Sequence, residues 1–271
     1  MLNAPATQLP VRYSMSNQFA SRLVWWRRRR ALSQLALALR AGISQRHLSF
    51  LELARAAPSR DMVLRLAAAL DVPLRQQNAL LLAAGFAPEW RESDLAAPAL
   101  AQLNLALDHM LAQHEPYPAF VVDRHWNLLR ANQGAARLVA FLLGPLPPGT
   151  AVNLADALLA PDVLRPFLVN WTEVARYFLR SVEADAASDG SDTLLERLLD
   201  YPDTRATLKA PPDAADAPVV PMHFRKGDVS VRLFTTIATL GTPRDITAQE
   251  LRIECCYPMD EASAAVMRGW L

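Results

Sequence analysis

Cysteine is nearly missing from this 271-residue chain, which contains only the adjacent pair Cys255 and Cys256. Neighbouring cysteines cannot build the disulfide framework that holds small secreted proteins together. Because alternate residues of a strand point to opposite faces, we expect one thiol in the core and the other on the far side of a sheet; a redox switch is the alternative. The cysteine content therefore favours a reducing compartment.

Long hydrophobic runs are also missing. No apolar stretch approaches the roughly 18 residues of a membrane span, and the polar, proline-containing N-terminus has no hydrophobic signal core. We therefore expect a cytoplasmic protein that does not enter a membrane. The chain is nevertheless 52% hydrophobic, which is enough for two buried cores.

Familiar catalytic and metal-binding motifs are absent from the sequence. The nine glycines form neither GxGxxG nor GxxxxGK, and no serine stands in a GxSxG elbow. Of the five histidines only His109 and His114 are close, on different helix faces, and no cysteine is near enough to complete a zinc site. We predict no catalytic residue, no enzyme activity, no metal site and no required cofactor.

Lysine is scarce, with two residues against 26 arginines, and the charge is unevenly distributed. Residues 1–90 contain 12 arginines and four acidic residues, a net charge of +8, whereas the remainder contains 16 basic and 23 acidic residues, a net charge of −7. A basic region attracts phosphate groups in a salt-dependent way. Within the run Arg27 to Arg30 we expect DNA contacts, with a merely solvated face as the alternative.

Residues 33–52, SQLALALRAGISQRHLSFLE, have the pattern of two short helices joined by a tight glycine turn. Ser33 and Ser44 each stand where a side-chain oxygen would cap a helix. On the first helix, Leu35 and Leu39 are expected to face the core at helical spacing. The layout is that of a DNA-reading helix-turn-helix, and an ordinary helical hairpin is the alternative.

The second helix of this motif would present its polar side to DNA. Such a helix fits the major groove, where glutamine pairs with adenine and arginine with guanine. Gln34, at the start of the first helix, suits a phosphate. The candidate DNA-binding residues are therefore Arg27, Arg28, Ser33, Gln34, Ser44, Gln45, Arg46, His47 and Ser49.

Flanking segments complete an all-α, five-helix domain over residues 16–90. Residues 17–30 predict a helix ahead of the motif, Ser59 caps another behind it, and Pro73 precedes a last helix closed by a glycine. A linker with prolines and small residues follows. A second domain is predicted over residues 99–271.

The second domain opens with a predicted helix over residues 99–113, followed by strand, turn, strand and a helix capped by Asn132. Three antiparallel strands follow near the C-terminus. The predicted strands cover residues 119–122, 126–131, 219–225, 229–240 and 250–257. This order is typical of a PAS-like α+β fold, with a five-stranded antiparallel sheet and helices.

Six segments stand out together: SQLALALRAGISQRHLSFLE, PSRDMVLRLAAALDVPL, RQQNALLLAAGFAP, EPYPAFVVDRHWNLLRAN, VNW at 169–171 and FTTIATLGTPRDIT. In these segments the chain resembles the Xre-type, λ-repressor-like helix-turn-helix regulators that carry a MmyB-like ligand-binding domain. The resemblance extends over nearly the whole chain. It implies a phosphate contact for Gln34 and groove contacts for Gln45, Arg46 and Ser49.

Two positions depart from that family. Where such regulators usually have glycine after the recognition helix, this chain has Ala54, and Ala57 replaces a usual arginine. Because a non-glycine residue at positive φ costs on the order of 1 kcal/mol, we expect the recognition helix to run on slightly.

By the same resemblance, the second domain holds a fatty-acyl-like molecule between its sheet and its helices. Aromatic side chains would wall an acyl chain and polar ones would bind its head. Each could equally be an ordinary core, capping or surface residue. The candidate ligand-binding residues are Trp126, Asn132, Phe167, Asn170, Trp171, Thr235, Thr236 and Thr239.

Taken together, these features predict a homodimeric one-component transcriptional regulator. Its basic domain would bind double-stranded operator DNA, and its acidic domain would sense a small apolar ligand, a fatty acid or acyl compound. The alternative is a protein-interaction module or enzyme-associated protein whose helix-turn-helix does not bind DNA.

Overall fold

The computed structural model describes residues 11–147, 149–190, 193–211 and 219–270. The predicted absence of a signal peptide concerns residues 1–10, which lie outside the described residues. The chain divides into two compact units, one of Met1–Glu92 with Arg244–Ile246 and one of Ser93–Pro243 with Thr247–Leu271. Among the described residues, no helix is both long and apolar enough to span a bilayer.

The first unit is helical, as predicted. Its helices are α1 (Val11–Arg29), α2 (Gln34–Ala41), α3 (Gln45–Glu52), α4 (Arg60–Ala69) and α5 (Leu74–Ala83). The hydroxyls of Ser33, Ser44 and Ser59 each accept a hydrogen bond from the backbone N–H three residues later, which confirms the predicted caps. The core of the unit includes Phe19, Leu23, Trp26, Leu37, Leu48, Leu51, Leu66 and Leu81.

The inward face of α2 differs from the prediction. Leu35 and Leu39 are 52% and 72% exposed, whereas Leu37 is fully buried. A short helix with leucine at alternate positions offers apolar side chains to more than one face, so periodicity alone does not select between them. Packing against α3 and α4 selects the face that carries Leu37.

The recognition helix α3 ends at Glu52, and the expected extension past its usual end is wrong. Ala54 adopts a φ of 55°, so the alanine itself takes the left-handed conformation that glycine usually supplies. The N–H groups of Arg55 and Ala56 bond to the carbonyl of Phe50 at 2.8 and 3.2 Å. These hydrogen bonds hold the turn and offset the cost of the left-handed alanine, which is on the order of 1 kcal/mol.

The second unit is an α+β structure. Its strands are β1 (Ala119–Val122), β2 (Leu128–Ala131), β3 (Met222–Lys226), β4 (Val229–Ala238) and β5 (Arg252–Pro258). Its helices are α6 (Ala101–Gln113), α7 (Gln133–Leu143), α8 (Leu154–Leu159), α9 (Trp171–Asp189), α10 (Thr193–Leu198), α11 (Thr204–Lys209), α12 (Ile246–Glu250) and α13 (Glu261–Arg268). The strands pair antiparallel in the order β2-β1-β5-β4-β3, which confirms the predicted five-stranded sheet.

Both faces of the sheet are covered. Phe120 and Cys256 belong to the large core on one face, where α7, α8 and α9 pack. Ala119 and Cys255 face the other side, against α6. The two thiols therefore lie on opposite faces, as strand alternation predicts.

Candidate functional site

The polar side of α3 is the first candidate site. Gln45 and Arg46 are exposed on its first turn, and His47 and Ser49 are partly exposed beside them. The Arg46 guanidinium carbon lies 5.4 Å from the ring centroid of Phe50, one helical turn further on. The helix thus offers amide and guanidinium groups suited to adenine and guanine edges in a major groove.

Glu52, at the end of α3, joins three helices. Its carboxylate accepts hydrogen bonds from Nε and Nη2 of Arg27 on α1, at 2.5 and 2.9 Å, and from the side-chain amide of Gln34 on α2 at 2.8 Å. The side chains of Arg27 and Glu52 are only 14% and 4% exposed. The hydrogen bond to Glu52 also raises the pKa of Arg27. A bidentate pair this buried holds the helices in register.

The expected role of Arg27 as a DNA contact is therefore corrected. Its guanidinium is occupied by Glu52 and by the carbonyl of Leu32 at 3.0 Å. Gln34 keeps its predicted position at the start of α2, and Glu52 orients its amide group. The amide has a second N–H, which could donate a hydrogen bond to a phosphate oxygen.

The rest of the arginine run is also divided between structure and surface. Arg30 donates to the carbonyls of Leu70 and Asp71 at 2.8 and 2.9 Å, where α4 ends. Arg29 lies over the ring of Trp25 at 4.5 Å. Arg28 is exposed and remains a candidate phosphate contact.

A cavity of about 460 Å³ in the second unit is the second candidate site. It lies between one face of the sheet and the segments around α7, α8 and α9. Its walls include Phe120, Trp126, Leu138, Leu142, Leu158, Phe178 and Phe224. Its size and apolar lining are those of a site for a small organic molecule.

The aromatic candidates are placed differently with respect to this cavity. Trp126 lines it, with its ring centroid 4.9 Å from that of Phe178. Trp171 is buried beside it, and its indole N–H donates to the carbonyl of Leu158 at 2.9 Å. Phe167 packs against the same core but is not part of the wall. Of the three, Trp126 alone contacts the cavity.

The two asparagines that we expected near a ligand are used by the backbone instead. The side-chain amide oxygen of Asn132 accepts from the N–H groups of Ala119 and Ala135, both at 2.9 Å, and its bond to Ala135 caps α7. The Asn170 amide oxygen accepts from the N–H of His223 at 3.1 Å. Neither asparagine lines the cavity, because backbone groups of neighbouring segments already hold its side chain.

The three candidate threonines differ in their position relative to the cavity. Thr236 pairs with Cys255 and is exposed on the far face of the sheet, and Thr239 lies beyond the end of β4, also exposed. Both were expected near the ligand, and strand alternation and the end of the strand place them away from it. Thr235 lies on the cavity face and hydrogen-bonds Glu254.

Sequence reasoning missed Glu254, the acidic residue of the cavity wall that lies on the central strand β5. Burial raises its pKa to about 7, although the Thr235 hydroxyl and the charge of Arg252 act in the opposite direction. Alternation along β5 could have found it, because Glu254 must share a face with the buried Cys256. The described part of the chain contains no cluster of three His, Cys, Asp or Glu side chains that could hold a metal ion.

Comparisons with known proteins agree with this division into two sites. Residues 23–77 match the helix-turn-helix family model, and residues 103–269 match the model of the MmyB-like transcription regulator ligand binding domain. A comparison with curated proteins gives no significant match. Among solved structures, an RNA-binding light-oxygen-voltage receptor matches at 13% identity over 99% of this chain and 68% of that chain, with a TM-score of 0.30. The chain belongs to the family of MmyB-like transcription regulators, with a helix-turn-helix at its N-terminus and a ligand-binding domain after it.

Proposed function

We propose that this regulator acts as a homodimer that binds operator DNA through α2 and α3 and is controlled by a small apolar ligand of the fatty-acyl type. The observation that carries the proposal is the apolar cavity of about 460 Å³ in the family's ligand-binding domain. A void of this size leaves the side chains around it without packing partners, and an apolar molecule would supply them.

On DNA, the exposed start of α3 would read bases while the surrounding surface binds phosphates. Gln45 and Arg46 would contact adenine and guanine edges, and Gln34 and Arg28 would contact the backbone. The net charge of +8 on residues 1–90 adds a sequence-independent attraction that weakens with salt. Two such surfaces in a homodimer would bind a palindromic or paired half-site.

Ligand control requires that the ligand bind one arrangement of the two reading surfaces better than another. The shift in operator affinity is then limited by that difference in ligand affinity. A ligand that alters the spacing of the reading surfaces would change binding to the full site more than to a half-site.

The DNA part of the proposal is tested by mobility shift of the full-length protein on its own promoter region and on a scrambled fragment, at two salt concentrations. We expect salt-dependent binding with a preference for the promoter. Gln45→Ala with Arg46→Ala should abolish the preference. The exposed Arg225→Ala, in the second unit, is the control for loss of one positive charge and should keep it. An unchanged preference in the double variant would rule out α3 as the reading element.

The ligand part is tested by native mass spectrometry of the purified full-length protein. We expect the protein to carry, or to take up, an apolar molecule in one-to-one ratio. Ala157→Trp places an indole in the cavity wall and should prevent this. Uptake that is the same in both proteins would place the molecule elsewhere.

A further inference from the structure

The cavity contains a group that an acyl chain does not need. Glu254 lies opposite Phe120 of β1 and Ile237 of β4 in the middle of the sheet, and its side chain forms part of a wall that is otherwise largely aliphatic and aromatic. An ionisable carboxyl among apolar side chains costs folding free energy unless something pairs with it. Its position therefore calls for a partner.

Protein groups only partly supply that partner. Thr235 donates one hydrogen bond to the Glu254 carboxyl. Arg252, two residues earlier on the strand, is paired with Asp185 on α9 at 2.7 Å and lies over the Trp126 ring at 5.6 Å. Within the described ranges, no ion pair reaches Glu254.

The unused capacity of this carboxyl is directed at the cavity. A carboxylate offers about four lone-pair sites, and the Thr235 hydroxyl occupies one of them. Glu254 retains some uncovered surface even though surrounding protein desolvates it, and we attribute that surface to the cavity it lines. A ligand in the cavity therefore meets a hydrogen-bond acceptor.

We propose that Glu254 selects apolar ligands whose polar end donates a hydrogen bond, a primary amine above all and an alcohol next, over fatty-acid anions of the same chain length. This inference rests on the proposed ligand function of the cavity: it keeps the hydrocarbon chain of a fatty-acyl ligand and assigns to its polar end a hydrogen-bond donor in place of a fatty-acid carboxylate. The hydrocarbon part would lie against Phe120, Trp126 and Phe178, as any acyl-type chain would.

Electrostatics in a desolvated site separates the two kinds of head group. An ammonium beside Glu254 forms a charge-assisted hydrogen bond, which is shorter and stronger than a neutral one. A carboxylate in the same place would meet a like charge, and the two acids could coexist only by sharing a proton. An alcohol can donate to either form of the carboxyl.

The preference should depend on pH. Because burial sets the pKa of Glu254 at about 7, amine binding should strengthen from about pH 6 to about pH 8, and decanoate binding should weaken. The other ionisable groups near it are Arg252, Asp185, Asp156, Arg197, Tyr201, Cys255 and Cys256. The two aspartates are ion-paired with the two arginines, and burial raises the pKa values of Tyr201, Cys255 and Cys256, so these three remain neutral in this range.

The test is isothermal titration calorimetry of delipidated full-length protein with decylamine, decanol and decanoate. At about pH 8 we expect decylamine to bind roughly tenfold or more tightly than decanoate, the ratio that corresponds to one hydrogen bond to a charged group. Glu254→Leu should abolish this preference and strengthen decanoate binding. Glu254→Gln keeps the size of the side chain and an acceptor oxygen, so it controls for shape. This variant should still bind decanol but should no longer prefer decylamine over decanoate.

The possible results distinguish a failure of the proposed role of Glu254 from a failure of the proposed ligand binding. If the three probes bind the wild type equally, or if Glu254→Leu leaves their order unchanged, the role of Glu254 is overturned while ligand binding stands. If no probe binds the wild type or either variant, and native mass spectrometry shows no other apolar ligand, both are overturned. Binding that persists in Ala157→Trp would place the probes outside the cavity and would likewise overturn the inference.

Discussion

Glu254 should make the stability of the second unit fall with rising pH. Burial raises its pKa from 4.5 to about 7, so the folded state holds the proton more tightly than the unfolded state does. The resulting stability is fully present below about pH 4.5 and is lost as the pH rises through about 7. At about 1.4 kcal/mol for each pKa unit, the loss amounts to roughly 3 kcal/mol.

Glu254→Gln removes this titration while nearly preserving the size of the side chain. Hydrogen exchange of the β5 amides reports the local free energy of unfolding around the residue. We expect wild type and variant to be similar at about pH 4.5, and the variant to be more stable by roughly 3 kcal/mol at about pH 8. His223, whose pKa burial lowers, has the opposite pH dependence but is present in both proteins, so it cancels in the difference.

A difference between the two proteins that stays constant across this range would refute the reasoning. It would mean that the Glu254 carboxylate is solvated or paired when the protein is folded. The proposed discrimination against fatty-acid anions would then lose its physical basis as well.

Three further predictions concern the turns and contacts that shape the two units. Ala54→Gly should stabilise the first unit by about 1 kcal/mol in urea unfolding, because glycine adopts the left-handed turn without strain, whereas Ala68→Gly on the exposed side of α4 should destabilise it by roughly 0.5–1 kcal/mol. Glu52→Gln should destabilise the same unit by roughly 3 kcal/mol, since it leaves a buried guanidinium without its counter-ion; no change in the urea midpoint would show that the pair contributes nothing. Gly134→Ala should lower the Tm of the second unit by several degrees, because its Cβ would overlap the carbonyl oxygen of Pro116, and an unchanged Tm would contradict that close approach.

Local signals were sufficient to place most of the secondary structure. The strand β1 begins and ends where predicted, and the helix α7 begins directly after Asn132, because this residue has the chemistry of an N-cap. The next strand begins later than predicted, at Leu128, because Trp126 adopts a φ of 66° that no strand residue takes. Such strain depends on tertiary packing and leaves no mark in the local sequence.

The roles of charged side chains were harder to predict. Arg27 stands four residues after the buried Leu23, so helical spacing places it further inward than the exposed Arg28, but the charge pattern does not identify its partner Glu52, 25 positions further along the chain. Pairing over that distance follows from how α1 and α3 pack, which a charge pattern does not encode. The cavity was equally hard to predict, because its wall is assembled from many separate segments. Of the candidate ligand-binding residues, only Trp126 forms part of this wall.

The position of Glu52 also bears on how such regulators acquire new operators. The base-reading candidates Gln45, Arg46 and Ser49 occupy the start of α3, while the carboxylate that anchors this helix to α1 and α2 stands at its end. Reading and anchoring are thus separable along eight residues. Grafting positions 45–49 from a relative should transfer its operator preference in one step, whereas a graft that replaces residue 52 would also have to carry along a matching arginine from a different helix.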